Sequence, residues 1–220
     1  MELAERLIEE TERSPRGLRA EQIANDLLGE FFRGFPVERL RSLLQSQDAD
    51  TVATGAWIAS ELGEKSEPIL GDVLGLLKHS SKKVRFWALD CLLWATSDQE
   101  ADLANGVAMI DDAESAVRWK ALDTLTRMSA GQLNAALRSL SASTPDSAHV
   151  QGLSFLLGCG ASDFDSVISL LNSSSSQLRK YGLIAGVRLP ERSGEVLEYA
   201  KSINDPDIQS FVRSRLNAST

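Results

Sequence analysis

One six-residue register returns five times along the chain, at 52–57, 84–89, 117–122, 148–153 and 178–183, each copy 30 to 33 residues after the last. Every copy opens on an aliphatic residue or alanine, carries a small residue fifth (Ala56, Ala88, Ala121, Gly152, Gly182) and a bulky apolar residue sixth. Three copies place an arginine second: Arg85, Arg118 and Arg179. Self-similarity at this period marks a repeat array, in which one unit cannot bury its own apolar face and stacked neighbours do it together. A chain of 220 residues could otherwise be one large domain or two ordinary ones. The repeat favours a single continuous array over 37–220, joined to capping helices over 1–36.

The units are helical. Apolar residues recur at three- and four-residue steps, as in Val84, Ala88, Leu92 and Ala95, and hardly any segment alternates with period two. A shorter amphipathic segment precedes each register copy, as at 37–46, 68–78 and 164–172, followed by a polar turn such as 47–50, 80–83 or 173–176. Each repeat therefore reads as helix, turn, helix, and the serine run at 173–176 as a turn rather than a linker. Ser97 with Glu100 and Ser129 with Gln132 match the capping box, and Pro36, Pro68, Pro190 and Pro206 suit first-turn positions. Segments 2–12 and 18–32 lack the register and are expected to cap the array, with Phe31, Phe32 and Phe35 plugging the first repeat. Residues 208–213 form a degenerate closing copy.

Composition bounds the function. With 31 acidic against 23 basic side chains the formal charge is −8, so no basic footprint for a phosphate backbone is expected, and a cationic or neutral protein partner fits better. Cys91 and Cys159 sit where a helix needs a small apolar residue, which points to reduced core packing. The charged N-terminal segment and the lack of any run of roughly 18 apolar residues lead to a cytoplasmic expectation. His79 and His149 have no ligand at metal spacing and read as surface residues. No cofactor, metal, glycine-rich phosphate loop or nucleophile elbow is expected.

The segments Lys83-Val84-Arg85-Phe86-Trp87-Ala88, Ala116-Val117-Arg118-Trp119-Lys120-Ala121 and Gln177-Leu178-Arg179-Lys180-Tyr181-Gly182 resemble the second helices of HEAT repeats. The resemblance covers about 37–216 and implies an all-α, right-handed α-α superhelix of about six helical pairs, whose second helices line a concave surface. Ala53 and His149 stand where the arginine would be, so the arginine ladder is interrupted. Arg85, Arg118 and Arg179 are expected to bond neighbouring turns. Counting from the first register residue, positions one, five, eight or nine, and twelve should pack inward, and three, four, seven and eleven should face the groove. On those columns lie Phe86, Trp87, Asp90 and Trp94 in one repeat, Trp119, Lys120, Asp123 and Arg127 in the next, and Tyr181 and Arg188 further on. Trp57, sixth in its copy, is assigned to the core. The other tryptophans either pack between repeats or serve as exposed anchors.

These ten residues are the expected partner-binding set, because aromatic and arginine anchors supply most interface energy. The expected activity is non-enzymatic protein binding. Size, acidity and missing catalytic groups are similar to bacterial HEAT-type immunity proteins, which implies neutralisation of a cognate basic toxin. A general adaptor or scaffold would use the same surface. From a different class, the pairing of Trp119 with Asp123 is similar to HEAT-like alkylpurine DNA glycosylases, which would make Asp123 the catalytic carboxylate and Trp119 and Trp94 stacking rings.

Overall fold

The computed structural model describes residues 2–160, 163–189 and 191–217. Every regular element among them is helical. A leading pair, α1 (Glu2–Arg13) and α2 (Leu18–Phe32), precedes six pairs. The first couples a 3-10 turn (Val37–Leu40) and α3 (Arg41–Leu44) to α4 (Ala49–Leu62). The others are α5 (Leu70–Gly75) with α6 (Lys82–Cys91), α7 (Glu100–Ala108) with α8 (Ser115–Arg127), α9 (Ala130–Ser143) with α10 (Ala148–Gly158), α11 (Phe164–Leu171) with α12 (Ser176–Val187), and α13 (Ser193–Ala200) with α14 (Pro206–Asn217). Each register copy falls inside the second helix of its pair, as the periodicity predicts.

The register has a steric basis. Its first residue is buried in the copies that begin with Val52, Val84 and Val117, and Ala56, Ala88 and Ala121 at position five are also buried. Where position five is glycine, no larger side chain fits. A Cβ at Gly182 would lie 2.8 Å from the Leu171 backbone nitrogen, and one at Gly152 would lie 2.1 Å from the Tyr181 ring. The arginine at position two ties its helix to the preceding turn, as expected. Arg85 Nη1 donates to the carbonyls of His79 and Ser80 at 2.8 and 2.9 Å, Arg118 Nη1 to Asp112 and Ala113 at 2.8 and 3.0 Å, and Arg179 Nη1 to Ser173 and Ser174 at 2.9 and 3.1 Å. One guanidinium thus satisfies two carbonyls that the turn leaves without helical partners.

The start signals hold only in part. Ser129 and Gln132 form the complete capping box of α9. At α7 the helix begins at Glu100 with no side-chain cap, and the Gln99 side chain accepts instead from the Thr96 amide at 3.0 Å. Pro206 opens α14 and Pro68 lies inside the 3-10 helix Gly63–Ile69, while Pro190 lies outside the described residues. Phe31 and Phe35 are buried with ring centroids 5.2 Å apart, but Phe32 is 51 % exposed at the end of α2, with the Lys65 ammonium 5.2 Å from its ring. Cys91 is buried and Cys159 partly exposed, both free thiols. No described helix is long and apolar enough to cross a membrane.

The chain divides into two compact units, Met1–Ala95 and Thr96–Thr220, with the division inside the repeat region. In the first, α2 packs on α4, α4 on α6, and each short first helix on its partner. In the second, α9 packs on α7, α10 on α9 and α12, and both α12 and α14 come onto α8. That last arrangement departs from a regular array, in which the second helix of each pair meets chiefly the second helix of the next. It closes the inner side of α8.

Candidate functional site

In the first unit a cavity of about 620 Å³ opens between the starts of α2, α4 and α6. Its apolar wall is Ala53, Trp57 and Trp87, and its polar rim is Arg16, Asp50 and Lys83. Sequence fixes each placement. Asp48 caps α4, its Oδ1 accepting from the amides of Asp50 and Thr51 at 3.0 and 2.9 Å, which turns the Asp50 side chain out of the first turn toward the rim. Lys83, in the first turn of α6, donates to Asp50 Oδ1 at 2.8 Å. Arg16, from the segment joining α1 to α2, donates to the other Asp50 oxygen and to Asp48 Oδ2, the latter at 3.1 Å. The Lys83 ammonium and then the Arg16 guanidinium hold the Asp50 carboxyl below its ordinary pKa, against a smaller opposing effect of burial. Asp50 is therefore an ionised acceptor throughout the neutral range.

Trp87 lies on the wall, packed against the buried cluster of Val52, Ala53 and Val84 while part of its ring faces the cavity. Phe86 meets it edge-on at 5.0 Å between centroids. Trp57 differs from its sequence reading: Leu89, Leu122, Leu153 and Leu183 at the same register position are fully buried, whereas Trp57 is half-buried and lines the cavity. Its neighbour Ile58 takes the core position instead. Asp90 is half-buried on α6. Trp94 falls away from this wall. At the far end of α4 its ring covers Gly63, where a Cβ would lie 3.0 Å from Trp94 Cζ2, and it is 39 % exposed.

Most of the groove residues expected in the second unit have partners within it. Trp119 stacks obliquely on Phe211 of α14 at 6.2 Å. Asp123, 8 % exposed, accepts from Arg215 at 2.5 Å and has Arg127 at 3.8 Å. Lys120 is 9 % exposed and Lys180 4 %, the latter donating to the Ile110 carbonyl at 2.7 Å and paired with Asp207 at 3.0 Å. Arg118 Nε reaches the same Asp207 oxygen at 2.8 Å. Arg127 keeps an exposed side chain. Arg188 closes the end of α8, its Nη1 donating to the carbonyls of Leu125, Thr126 and Met128 at 3.1, 3.2 and 2.7 Å. Burial alone draws the Arg188 pKa below the usual arginine value.

Tyr181 is fully buried, and its hydroxyl meets His149 Nδ1 at 3.0 Å. His149 Nε2 in turn stands 3.3 Å from Asp111, so this histidine is an internal bridge and not the surface residue its surroundings in sequence suggest. Burial, and then the Asp111 charge, push the Tyr181 phenol far above its ordinary value. The structure brings Trp119, Lys120 and Asp123 together on α8, as the spacing predicts, and α14 sets Phe211 against the first and Arg215 against the last. The carboxylate and ring that a glycosylase-like site would use are in contact with Arg215 and Phe211.

No family model matches the chain, and no curated protein matches it. Among solved structures it is similar to a designed armadillo repeat protein, with 14 % identity over 98 % of this chain and 99 % of that one and a TM-score of 0.50. It is equally similar, at TM-score 0.50 and 13 % identity, to the archaeal HEAT-like repeats protein from Thermococcus onnurineus NA1, covering 97 % of this chain and 94 % of that one. A second designed armadillo repeat protein, in complex with peptide (KR)4, matches over the full length of both chains with 14 % identity and TM-score 0.50. The fold is an all-α helical repeat of the armadillo and HEAT type.

Sequence reasoning misses Trp57, Arg16 and Asp50 as site residues. A signal is present for the first: a tryptophan is too large for a position that holds leucine in the other copies. Arg16 lies outside the repeats, and only the folded chain brings it to Asp50.

Proposed function

We propose that the chain is a non-enzymatic protein-binding module and that the cavity of the first unit receives a segment of its partner. One observation carries this reading. Two tryptophans on successive second helices leave part of their rings open to a cavity of about 620 Å³ rimmed by the ionised Asp50. Partly open aromatic faces beside a fixed charge are what an interface anchor needs, since burying such a ring on binding releases apolar surface while the charge sets orientation. The net charge of −8 favours a basic partner through long-range steering. A similar repeat fold in complex with peptide (KR)4 is consistent with a cationic segment as ligand.

In its most concrete form the protein is an immunity protein of a bacterial cytoplasm, blocking a basic toxin. An acidic inhibitor gains rapid association from electrostatic steering and slow dissociation from buried aromatic anchors. The test is capture from a bacterial lysate with the wild type and with Trp87→Ala, Asp50→Lys and Asp123→Lys variants, read by mass spectrometry. The reading expects one enriched basic protein, lost with the first two variants and kept with the third if that variant stays folded. A partner kept by both pocket variants, or capture of nucleic acid in its place, would refute it.

A further inference from the structure

Arg16 is placed where a ligand would be. It comes from the segment joining α1 to α2, between Pro15 and Gly17, whose φ of 93° bends the chain back over the starts of α4 and α6. Its side chain is 71 % exposed, and its described partners are the two carboxylates Asp48 and Asp50. Those carboxylates do not need it. Asp48 spends Oδ1 on capping α4, which fixes the group and leaves Oδ2 facing the rim, and Asp50 keeps the Lys83 ammonium on its Oδ1. With Arg16 swung away, the charged residues of the described lining would be Asp50 and Glu21 against Lys83, with the Asp48 carboxylate freed beside them. The balance around the two tryptophan faces would then be anionic, which suits a guanidinium or ammonium group.

We infer that Arg16 is a resident stand-in for a cationic side chain of the partner, occupying the Asp48 and Asp50 carboxylates in the free protein and displaced when the partner's arginine or lysine enters beside Trp57 and Trp87. This rests on the reading of the cavity as a partner site. The exchange is cheap because an ion pair this exposed adds little net stability. It gives selectivity, because the carboxylates it frees repel an acidic segment and leave a neutral one without a charged partner.

The experiment is titration of the purified full-length protein with the peptide (KR)4 at low salt, followed by tryptophan fluorescence and calorimetry. Arg16→Ala should tighten binding about two- to fivefold, the factor expected from removing one exposed competing ion pair. Arg13→Ala, which removes an equal charge from the exposed end of α1, should leave affinity unchanged. Asp50→Asn should weaken binding at least about tenfold. Circular dichroism checks the fold, and Arg16→Gln replaces the alanine variant if that one unfolds. Weaker binding by Arg16→Ala would make Arg16 a member of the site and overturn the stand-in role while leaving the cavity reading intact. Equal tightening by Arg13→Ala would reduce the effect to bulk charge and also overturn it. No binding by any form, or wild-type binding by Asp50→Asn, would remove the cavity reading and this inference with it.

Discussion

Asp123 on α8 and Arg215 on α14 stand 92 residues apart in sequence and 2.5 Å apart in space. The pair joins the inner side of α8 to the last helix, with the Arg215 guanidinium also 5.2 Å from the Phe211 ring. Arg215→Ala would leave a largely buried carboxylate facing the more distant Arg127, at a cost of about 1–3 kcal/mol. Urea unfolding of the two single variants and the double variant measures this, and the coupling between Asp123→Ala and Arg215→Ala should exceed about 0.5 kcal/mol. Strict additivity would show that the contact stabilises nothing.

Glycine positions separate close approach from open space. Gly152→Ala puts a methyl 2.1 Å from the fully buried Tyr181 ring, and overpacking of this kind costs about 1–3 kcal/mol or more. At Gly71, in the first turn of α5, a Cβ meets nothing within 4 Å. Gly71→Ala should be neutral or stabilising by up to about 1 kcal/mol, because alanine is the better helix former. Thermal unfolding should come at a lower temperature for Gly152→Ala and at the same or a higher one for Gly71→Ala, and equal shifts would contradict this packing.

Acid should loosen the end of the second unit. Burial opposes ionisation of Asp205, but the Ser176 hydroxyl, the Arg179 guanidinium and the Ile208 amide outweigh it, so its folded pKa lies below the ordinary 3.8. A depressed carboxyl pKa contributes stability above the unfolded value and loses it as pH falls through the folded one. Asp205→Asn should therefore be less stable than wild type at pH 7, with the gap narrowing as pH falls below about 4. Urea midpoints at several pH values check this, and a gap that stays constant would mean the carboxylate is not the source.

Arg188 serves as a cap for another helix. Removing it orphans three carbonyls at the end of α8, so Arg188→Ala should cost about 1–3 kcal/mol. Arg188→Lys should recover part of that, since an ammonium donates but lacks the reach of the guanidinium fork. Amide exchange at the end of α8 should quicken in both variants, more in the alanine one. Unchanged exchange there would assign Arg188 no capping role.

Much of this organisation is legible in the sequence. The period, the helix pairs, the small fifth residue and the turn-binding arginines all follow from local spacing, because each depends on contacts within one repeat or between neighbours. What local spacing does not show is how far the repeats of the second unit depart from regular stacking. Regular stacking would leave Trp119, Lys120, Asp123 and Tyr181 facing a groove. Contact of α14 with α8 sets Phe211 against Trp119 and Arg215 against Asp123, Lys120 is buried on the same helix, and Tyr181 is buried against Gly152 and His149 of α10. Conversely, register position assigns Trp57 to the core, yet its size sends it to the cavity wall while Ile58 fills the core. Both differences come from volume and long-range packing, which a column of residue types does not contain.

The proposed partner site is the Trp57 and Trp87 wall of the first unit and not the Trp119 face of α8. A photo-crosslinking amino acid placed at position 25, exposed on the cavity lining beside the two tryptophans, or at position 119, in the protein expressed in its native host, tests this without removing an anchor. The expected result is a protein adduct of discrete mass from position 25 and none from position 119. An adduct from 119 with none from 25 would contradict the placement of the partner on the first unit.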